Sequence, residues 1–260
     1  MEAIPNQIEK WLPALPRPTD RSNKYDRGYV AIYAAPHLTG ATRLAATACN
    51  RIGAGLVGVV ASSRADVYRT CLPPDIMVNE QLPSKASVAL GGSGGIEPQH
   101  FEELLRASHM EARVFDADAL PGREHFHNLD STCILTPHHG EFERAFGPIE
   151  ANPELAAHGA ARASGAIVVL KSSRTIIASP DGSLIANTHA SPYLAKAGTG
   201  DVLAGLIAGL AGQGMVPLSA CCAAVWIHGE AGLGIGPGLV ASDIPGRVPS
   251  ILKTLLSSQG

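Results

Sequence analysis

Ala197-Gly198-Thr199-Gly200-Asp201-Val202-Leu203-Ala204-Gly205 is a glycine-flanked turn that runs straight into a small, apolar, helix-like stretch. Such a turn aims successive backbone N–H groups, and the positive end of a helix dipole, at one point in space. Phosphate or another developing negative charge suits that point. Asp201 falls at or just inside the helix start, where a carboxylate can cap free N–H groups or face a substrate as a general base. The stretch alone does not separate these two roles.

Working outward, the chain alternates short apolar runs with helical patterns. Strands are expected at Tyr29–Ala35, Leu56–Ala61, Ile76–Val78, Ser87–Leu90, Arg113–Phe115, Cys133–Leu135 and Ile167–Leu170. Helices are expected at Thr39–Ile52, Asp66–Cys71, Pro98–Met110, about Gly140–Phe146 and Glu154–Ala163. The rhythm then changes to a hairpin, Thr175–Ala178 and Leu184–Ala186 around Pro180-Asp181-Gly182, followed by helices at Val202–Gln213, Leu218–Leu233 and about Asp243–Leu256. This predicts an α/β fold: a mostly parallel central sheet, helices on both faces and an antiparallel hairpin at one edge. The glycines at 91–95, Asp116 and Asp118, Thr136 and His138, and Lys171 each follow a buried strand directly. Carboxyl ends of parallel strands line one edge, so these residues should surround one cleft that the Gly198–Asp201 turn closes.

Bulk properties set limits. With 260 residues, 45% hydrophobic, only 5% aromatic and 28 glycines, one large domain (residues 23–260) preceded by an irregular arm (residues 1–22) with one helical turn at Ile8–Leu12 is expected. The formal net charge of −3, without basic runs, speaks against nucleic-acid binding. The five cysteines form no Cys-x-x-Cys pair and read as reduced, buried thiols of a cytoplasmic protein. No segment reads as a signal peptide or as a membrane span. His138-His139-Gly140-Glu141 lacks the His-Glu-x-x-His spacing of a helical zinc site, so no protein-held metal is expected. His138 reads instead as a substrate contact. Lys171-Ser172-Ser173-Arg174-Thr175 suits phosphate or adenylate, and equally a solvated turn. Asp116 and Asp118 read as partners of neighbouring turns, and His228 and Glu230 as satisfied polar residues of a core or interface.

Three segments then stand together: Val114-Phe-Asp-Ala-Asp-Ala-Leu120, Ile134-Leu-Thr-Pro-His-His-Gly-Glu-Phe142 and Ala197-Gly-Thr-Gly-Asp-Val-Leu-Ala-Gly205. In this order they resemble signatures of the NAD(P)H-hydrate dehydratases, nucleotide-repair enzymes of the ribokinase-like superfold. Asn23–Gly28 and Gly53–Val57 resemble that family's entries to its first two strands. The resemblance implies dehydration of the S epimer of hydrated NADH or NADPH (NADHX, NADPHX), with ADP or ATP as phosphoryl donor and Mg²⁺ held mainly by the phosphates. It implies that Asp201 is the base, and that the amides of Gly198, Thr199 and Gly200 stabilise the transferring phosphoryl group. Lys171, Ser172, Ser173, Arg174, Thr175 and Gly200 would contact the adenine nucleotide (ADP or AMP). Ala41, Gly94, Gly95, His138 and Asp201 would contact the hydrated nicotinamide nucleotide. A homo-oligomer, tetrameric in the family, and a separate NAD(P)HX epimerase as working partner are implied too, with no fused epimerase domain.

The chain departs from the family pattern mainly on the substrate side. Ala34-Ala35-Pro36 replaces Gly-Gly-Ser, Gly91-Gly92-Ser93-Gly94-Gly95 replaces Gly-Pro-Gly-Leu-Gly, Ser172 replaces a glycine, and Ser191-Pro192 replaces Asn-Pro. These changes keep two other readings open: a ribokinase-like kinase of a small alcohol or vitamin precursor, and a nucleotide-binding paralogue without activity.

Overall fold

A computed structural model describes residues 2–150 and 152–257. The strands are β1 Ile4–Pro5, β2 Tyr29–Tyr33, β3 Leu56–Val60, β4 Met77–Asn79, β5 Val88–Gly91, β6 Ala112–Phe115, β7 Cys133–Leu135, β8 Ile167–Leu170, β9 Thr175–Ala178 and β10 Leu184–Asn187. They form one sheet in the order β1-β10-β9-β8-β7-β6-β5-β2-β3-β4. From β4 across to β8 neighbouring strands are parallel, while β8-β9-β10 run antiparallel. The expected parallel sheet with an antiparallel hairpin at one side is therefore present.

Alternation along the strands divides the core in two. Val30, Ile32, Val57, Val59, Val88, Leu90, Val114, Ile134 and Val169 face one layer of helices. That layer contains α2 Thr39–Arg51, α3 Ala65–Cys71, α7 Thr199–Gly212, α8 Pro217–Ile235 and α9 Ile244–Ser257. The neighbouring residues Ala31, Ala89, Phe115, Cys133, Leu135, Val168 and Leu170 face the other layer, α4 Pro98–Arg106, α5 His139–Phe146 and α6 Pro153–Ser164. Burial on both faces is why these strands are continuous apolar runs.

Two expectations change. Helix α8, 19 residues at a mean hydropathy of 1.3, does have the length and composition of a membrane span, contrary to the sequence reading. Its apolar residues from Ala220 to Ala231, apart from the half-buried Trp226, are instead buried within the domain, where a core helix need not be amphipathic. In the N-terminal arm, β1 pairs in parallel with β10, and α1 (Ile8–Trp11) buries Trp11 against Trp226 of α8. The helical turn expected in the arm is thus present as α1, while the pairing of β1 with the sheet was not expected. Met1 and residues 258–260, at the ends of the two expected segments, lie outside the described residues.

Behind β6, the wholly buried Arg113 donates to the carbonyls of Leu105 (2.6 Å) and Asn128 (3.3 Å) and to the Asp130 carboxylate (2.8 Å). Burial works to raise the Asp130 pKa, but the hydroxyl and amide of Thr132, with Arg113, outweigh it and leave it below the usual value. A depressed folded pKa means that the carboxylate stabilises the protein above the unfolded value and loses this as pH falls through the folded one. Asp130→Asn should therefore cost about 1 kcal/mol at neutral pH, discounted for the half-exposed side chain. In denaturant titrations the difference from wild type should shrink as the pH falls from the unfolded Asp value through the lower folded one.

Candidate active site

The sheet brings its strand ends to one edge through backbone bonds. The Asp116 amide donates to Gly91 O (2.9 Å), the Thr136 amide to Phe115 O (3.0 Å) and the Lys171 amide to Pro137 O (2.8 Å). Above this edge lies a cavity of about 610 Å³, lined among others by Ser93, Asp116, His138, Lys171, the 198–201 turn and His228. That volume suits a nucleotide-sized ligand.

The turn has the expected form. Gly198 is the N-cap of α7 at φ +91°, a left-handed conformation that disfavours any residue with a Cβ. The Thr199 hydroxyl lies 2.8 Å from Leu194 O and 2.9 Å from Lys196 O, so it fastens the preceding loop. The helix starts at Thr199 rather than Val202, which places Asp201 inside its first turn, where N–H groups lack intrahelical acceptors. The Thr199 amide makes only a long bond (3.4 Å) to Lys196 O.

Asp201 is buried at 9% exposure and lines both the main cavity and a small adjoining one. Burial raises its pKa; a hydrogen bond from Ser93 and the Lys171 cation pull down, and the charges of Asp116 and Glu141 push up, leaving it above the ordinary carboxylate range. A carboxylate with a raised pKa in the first turn of a helix is suited to accept a proton.

Lys171 is held in place by carboxylates. Its Nζ lies 2.6 Å from Asp116 Oδ1 and 3.8 Å from Glu141 Oε2, and Thr136 Oγ1 donates to the same Asp116 oxygen at 2.6 Å. His138 caps α5: its Nδ1 accepts from the Glu141 amide (3.1 Å), while Glu141 accepts from the His138 amide (2.7 Å). The exposed ring still lines the cavity. Among the described residues, no group of three or more His, Cys, Asp and Glu side chains is placed to hold a metal ion.

The remaining expected site residues divide. Ser172, Ser173, Thr175, Gly198, Thr199 and Gly200 line the main cavity with Lys171. Arg174 is not among the lining residues, because its guanidinium pairs with Glu154 of α6 (2.6 Å), which also accepts from the Ala3 amide. Ala41 lines the small cavity, together with Thr42, Gly92, Ser93 and Asp201. Gly94 and Gly95 line neither, and both their amides donate to Asp118 Oδ2 at 2.9 Å. Asp116 and Asp118 thus do bond neighbouring groups, as read. The divergent Ala34–Pro36 turn is pinned by Thr42 Oγ1 on the Ala35 amide (2.9 Å) and by the Tyr68 hydroxyl on its carbonyl (2.7 Å). Ser93, Asn187 and His228 line the cavity without having been foreseen. Ser93 was hidden in a glycine run, but His228 beside Gly229 in an apolar helix was a usable signal.

Comparison with known proteins follows the same lines. A family model described as NAD(P)H-hydrate dehydratase matches residues 32–239. The bifunctional NAD(P)H-hydrate repair enzyme Nnr of Moorella thermoacetica is 34% identical over 93% of this chain and 52% of its own length. The chain spans about half the length of the bifunctional relatives that it matches first. The ADP-dependent (S)-NAD(P)H-hydrate dehydratase of Xanthomonas campestris pv. campestris is 30% identical over 94% of both proteins. Among solved structures, the ADP/ATP-dependent NAD(P)H-hydrate dehydratase of Bacillus subtilis, co-crystallized with ATP/Mg²⁺, superposes with a TM-score of 0.86 at 25% identity, covering 98% of this chain and 99% of that one. The fold is ribokinase-like.

Proposed function

The chain belongs to the NAD(P)H-hydrate dehydratase family, and on that premise we propose that it restores NADH and NADPH from their S-epimer hydrates, using ADP or ATP as phosphoryl donor. The carrying observation is the raised, buried Asp201 carboxylate inside the first turn of α7, in a cavity of nucleotide size.

Asp201 takes the proton of the misplaced ring hydroxyl as its oxygen forms a bond to the terminal phosphorus of the nucleotide. The bond from that phosphorus to the leaving nucleotide oxygen breaks. The amides at the start of α7 face the transferring phosphoryl group, and the fixed Lys171 cation supports the charge beside them. The ring C–O bond to phosphate then breaks while the neighbouring carbon loses a proton, which restores the double bond. Magnesium, carried on the nucleotide phosphates, would neutralise their charge; Asp116 and Glu141 are already engaged with Lys171 and His138. Nucleotide contacts are assigned to Lys171, Ser172, Ser173, Thr175 and the 198–200 turn. The hydrated nicotinamide nucleotide is assigned to the side of Ala41, Ser93 and His138.

Residues 23–260 would act as one catalytic domain, in a cytoplasmic homo-oligomer, with an NAD(P)HX epimerase supplying the S epimer. The purified protein, given hydrated NADH, Mg²⁺ and either ADP or ATP, should restore the near-ultraviolet absorbance of the reduced nicotinamide. No recovery with either donor would refute the proposal. A stable phosphorylated product from a small alcohol would favour the kinase reading instead. Ser93→Ala removes the hydrogen bond that lowers the Asp201 pKa. Its rate profile should therefore lose activity on the acid side at a higher pH than wild type.

A further inference from the structure

Residues 3–11 precede the stretch 32–239 that the family model matches, yet they are bonded to both halves of one cavity wall. One half is the 171–175 turn, with Ser172, Ser173 and Thr175. The other is the segment from β10 to the Gly198 turn, with Asn187, Ala190 and Ser191. The halves meet where Thr175 and Asn187 oppose each other across β9 and β10. At the first half, the Ala3 amide donates to Glu154 Oε2 (3.0 Å), and Oε1 of the same carboxylate pairs with Arg174. At the second, the Asn6 amide donates to Ala186 O (2.8 Å).

The Asn6 side chain makes the joint. Its Nδ2 donates to Asn187 Oδ1 (2.9 Å) and to the Cys222 carbonyl (2.9 Å), and its Oδ1 accepts from Trp11 Nε1 (3.2 Å). Asn187 Nδ2 donates in turn to the His189 carbonyl (2.9 Å). An indole nitrogen only donates and a carbonyl only accepts, so the orientation of both amides is forced. The His189 ring stacks on Trp226 (4.5 Å between centroids, 9° between planes), and Trp226 meets Trp11 at 5.8 Å. Trp11, Asn6, Asn187, His189 and Trp226 therefore close a circuit of contacts. Residues 188–191 have no regular secondary structure, so their position depends on such side-chain contacts. A wall that is already ordered spares a ligand the entropy of ordering it.

We propose that Asn6 is a positioning residue of the nucleotide site: by bonding Asn187 it fixes the wall that runs from β10 to the Gly198 turn, so that docking of the N-terminal arm and nucleotide binding are coupled. The inference rests on the nucleotide-binding reading above and extends that site to the arm. Asn6 does not line the cavity and acts only through Asn187.

Coupling is reciprocal: if loosening the arm weakens ADP by some factor, ADP must tighten the arm by the same factor. Hydrogen exchange on the intact wild-type protein reads the second effect. Saturating ADP should slow exchange of the Asn6 amide about two- to tenfold, the range of one net hydrogen bond. The amides of β4, a short strand at the sheet's other edge, should keep their rates. Asn6→Asp keeps the shape and the acceptor for Trp11, but turns the donor into an acceptor that faces Asn187 Oδ1 and the Cys222 carbonyl. By calorimetry it should bind ADP about two- to tenfold more weakly than wild type. In turnover the nucleotide KM should rise by the same factor, while kcat and the KM for the hydrated nicotinamide nucleotide stay unchanged. Equal ADP affinity in wild type and Asn6→Asp would overturn the inference and leave the functional reading intact. So would an Asn6 amide indifferent to ADP, or equal slowing in β1 and β4, which marks general stabilisation. If the variant does not fold, exchange on wild type decides alone. Failure of wild type to bind any adenine nucleotide would overturn both.

Discussion

Asp201→Asn is expected to lower kcat by about a thousandfold, within the range ascribed to a positioned general base, with ADP affinity close to wild type. The amide has nearly the shape of the carboxylate and can keep the contact with Ser93, but it cannot take the hydroxyl proton. Stability should move the other way. The folded pKa of Asp201 is raised, chiefly by burial, so above the unfolded Asp value the ionised carboxylate costs the folded state free energy. Asn carries no such cost. The variant should therefore melt at the same temperature as wild type or higher at neutral pH, a stability gain against lost activity. Coupled melting and turnover measurements check both halves. A residue acting only as a helix cap would give the opposite pair: lower stability and largely preserved turnover.

Gly205→Val should cost about 3 kcal/mol, the upper part of the range for overpacking a tight core. At Gly205, α7 lies directly on α2, and a Cβ there would be driven into the Ala45 carbonyl oxygen and to within 2.9 Å of the Ala45 Cα. One turn further on, a Cβ at Gly209 would come within 2.9 Å of the Cys49 carbonyl oxygen. At Gly205 the neighbours are all backbone, so no side-chain rotamer can relieve the clash, and the two helices would have to part. Since α7 begins with the Gly198–Asp201 turn, separation would shift the anion-binding corner as well. Denaturant titration should show the stability loss, and the nucleotide KM should rise in the fraction that still folds. A valine variant as stable as wild type would mean that α2 and α7 do not pack backbone to backbone.

Most of the sheet could be read from the sequence because strands buried on both faces are uninterrupted runs such as Cys133–Leu135 and Ile167–Leu170, each closed by a polar or glycine residue. The cleft could be read for the same reason: parallel strands send all those closing residues to one edge. What escaped reading depends on distant partners. Strand β1 is two residues long and exists through its pairing with β10. Arg174 looked like a nucleotide contact until its partner Glu154, in α6, was in view. The amides of Gly94 and Gly95 looked available, but Asp118 from the next strand end fills them. Helix α8 proved apolar enough for a span, since a helix surrounded by protein and one surrounded by lipid are apolar for the same reason. The Gly198–Asp201 turn could be read in advance as a candidate anion site; the structure adds the helix start at Thr199 and the burial of Asp201 beside Ser93.

The central claim is that the hydroxyl of the hydrated nicotinamide is phosphorylated before it leaves. Hydrated NADH labelled with heavy oxygen in that hydroxyl, turned over with ADP and Mg²⁺, tests it most directly. The label should appear quantitatively in inorganic phosphate, one equivalent per reduced nicotinamide restored and per AMP formed. Label released into water, or recovery of reduced nicotinamide without nucleotide cleavage, would contradict it.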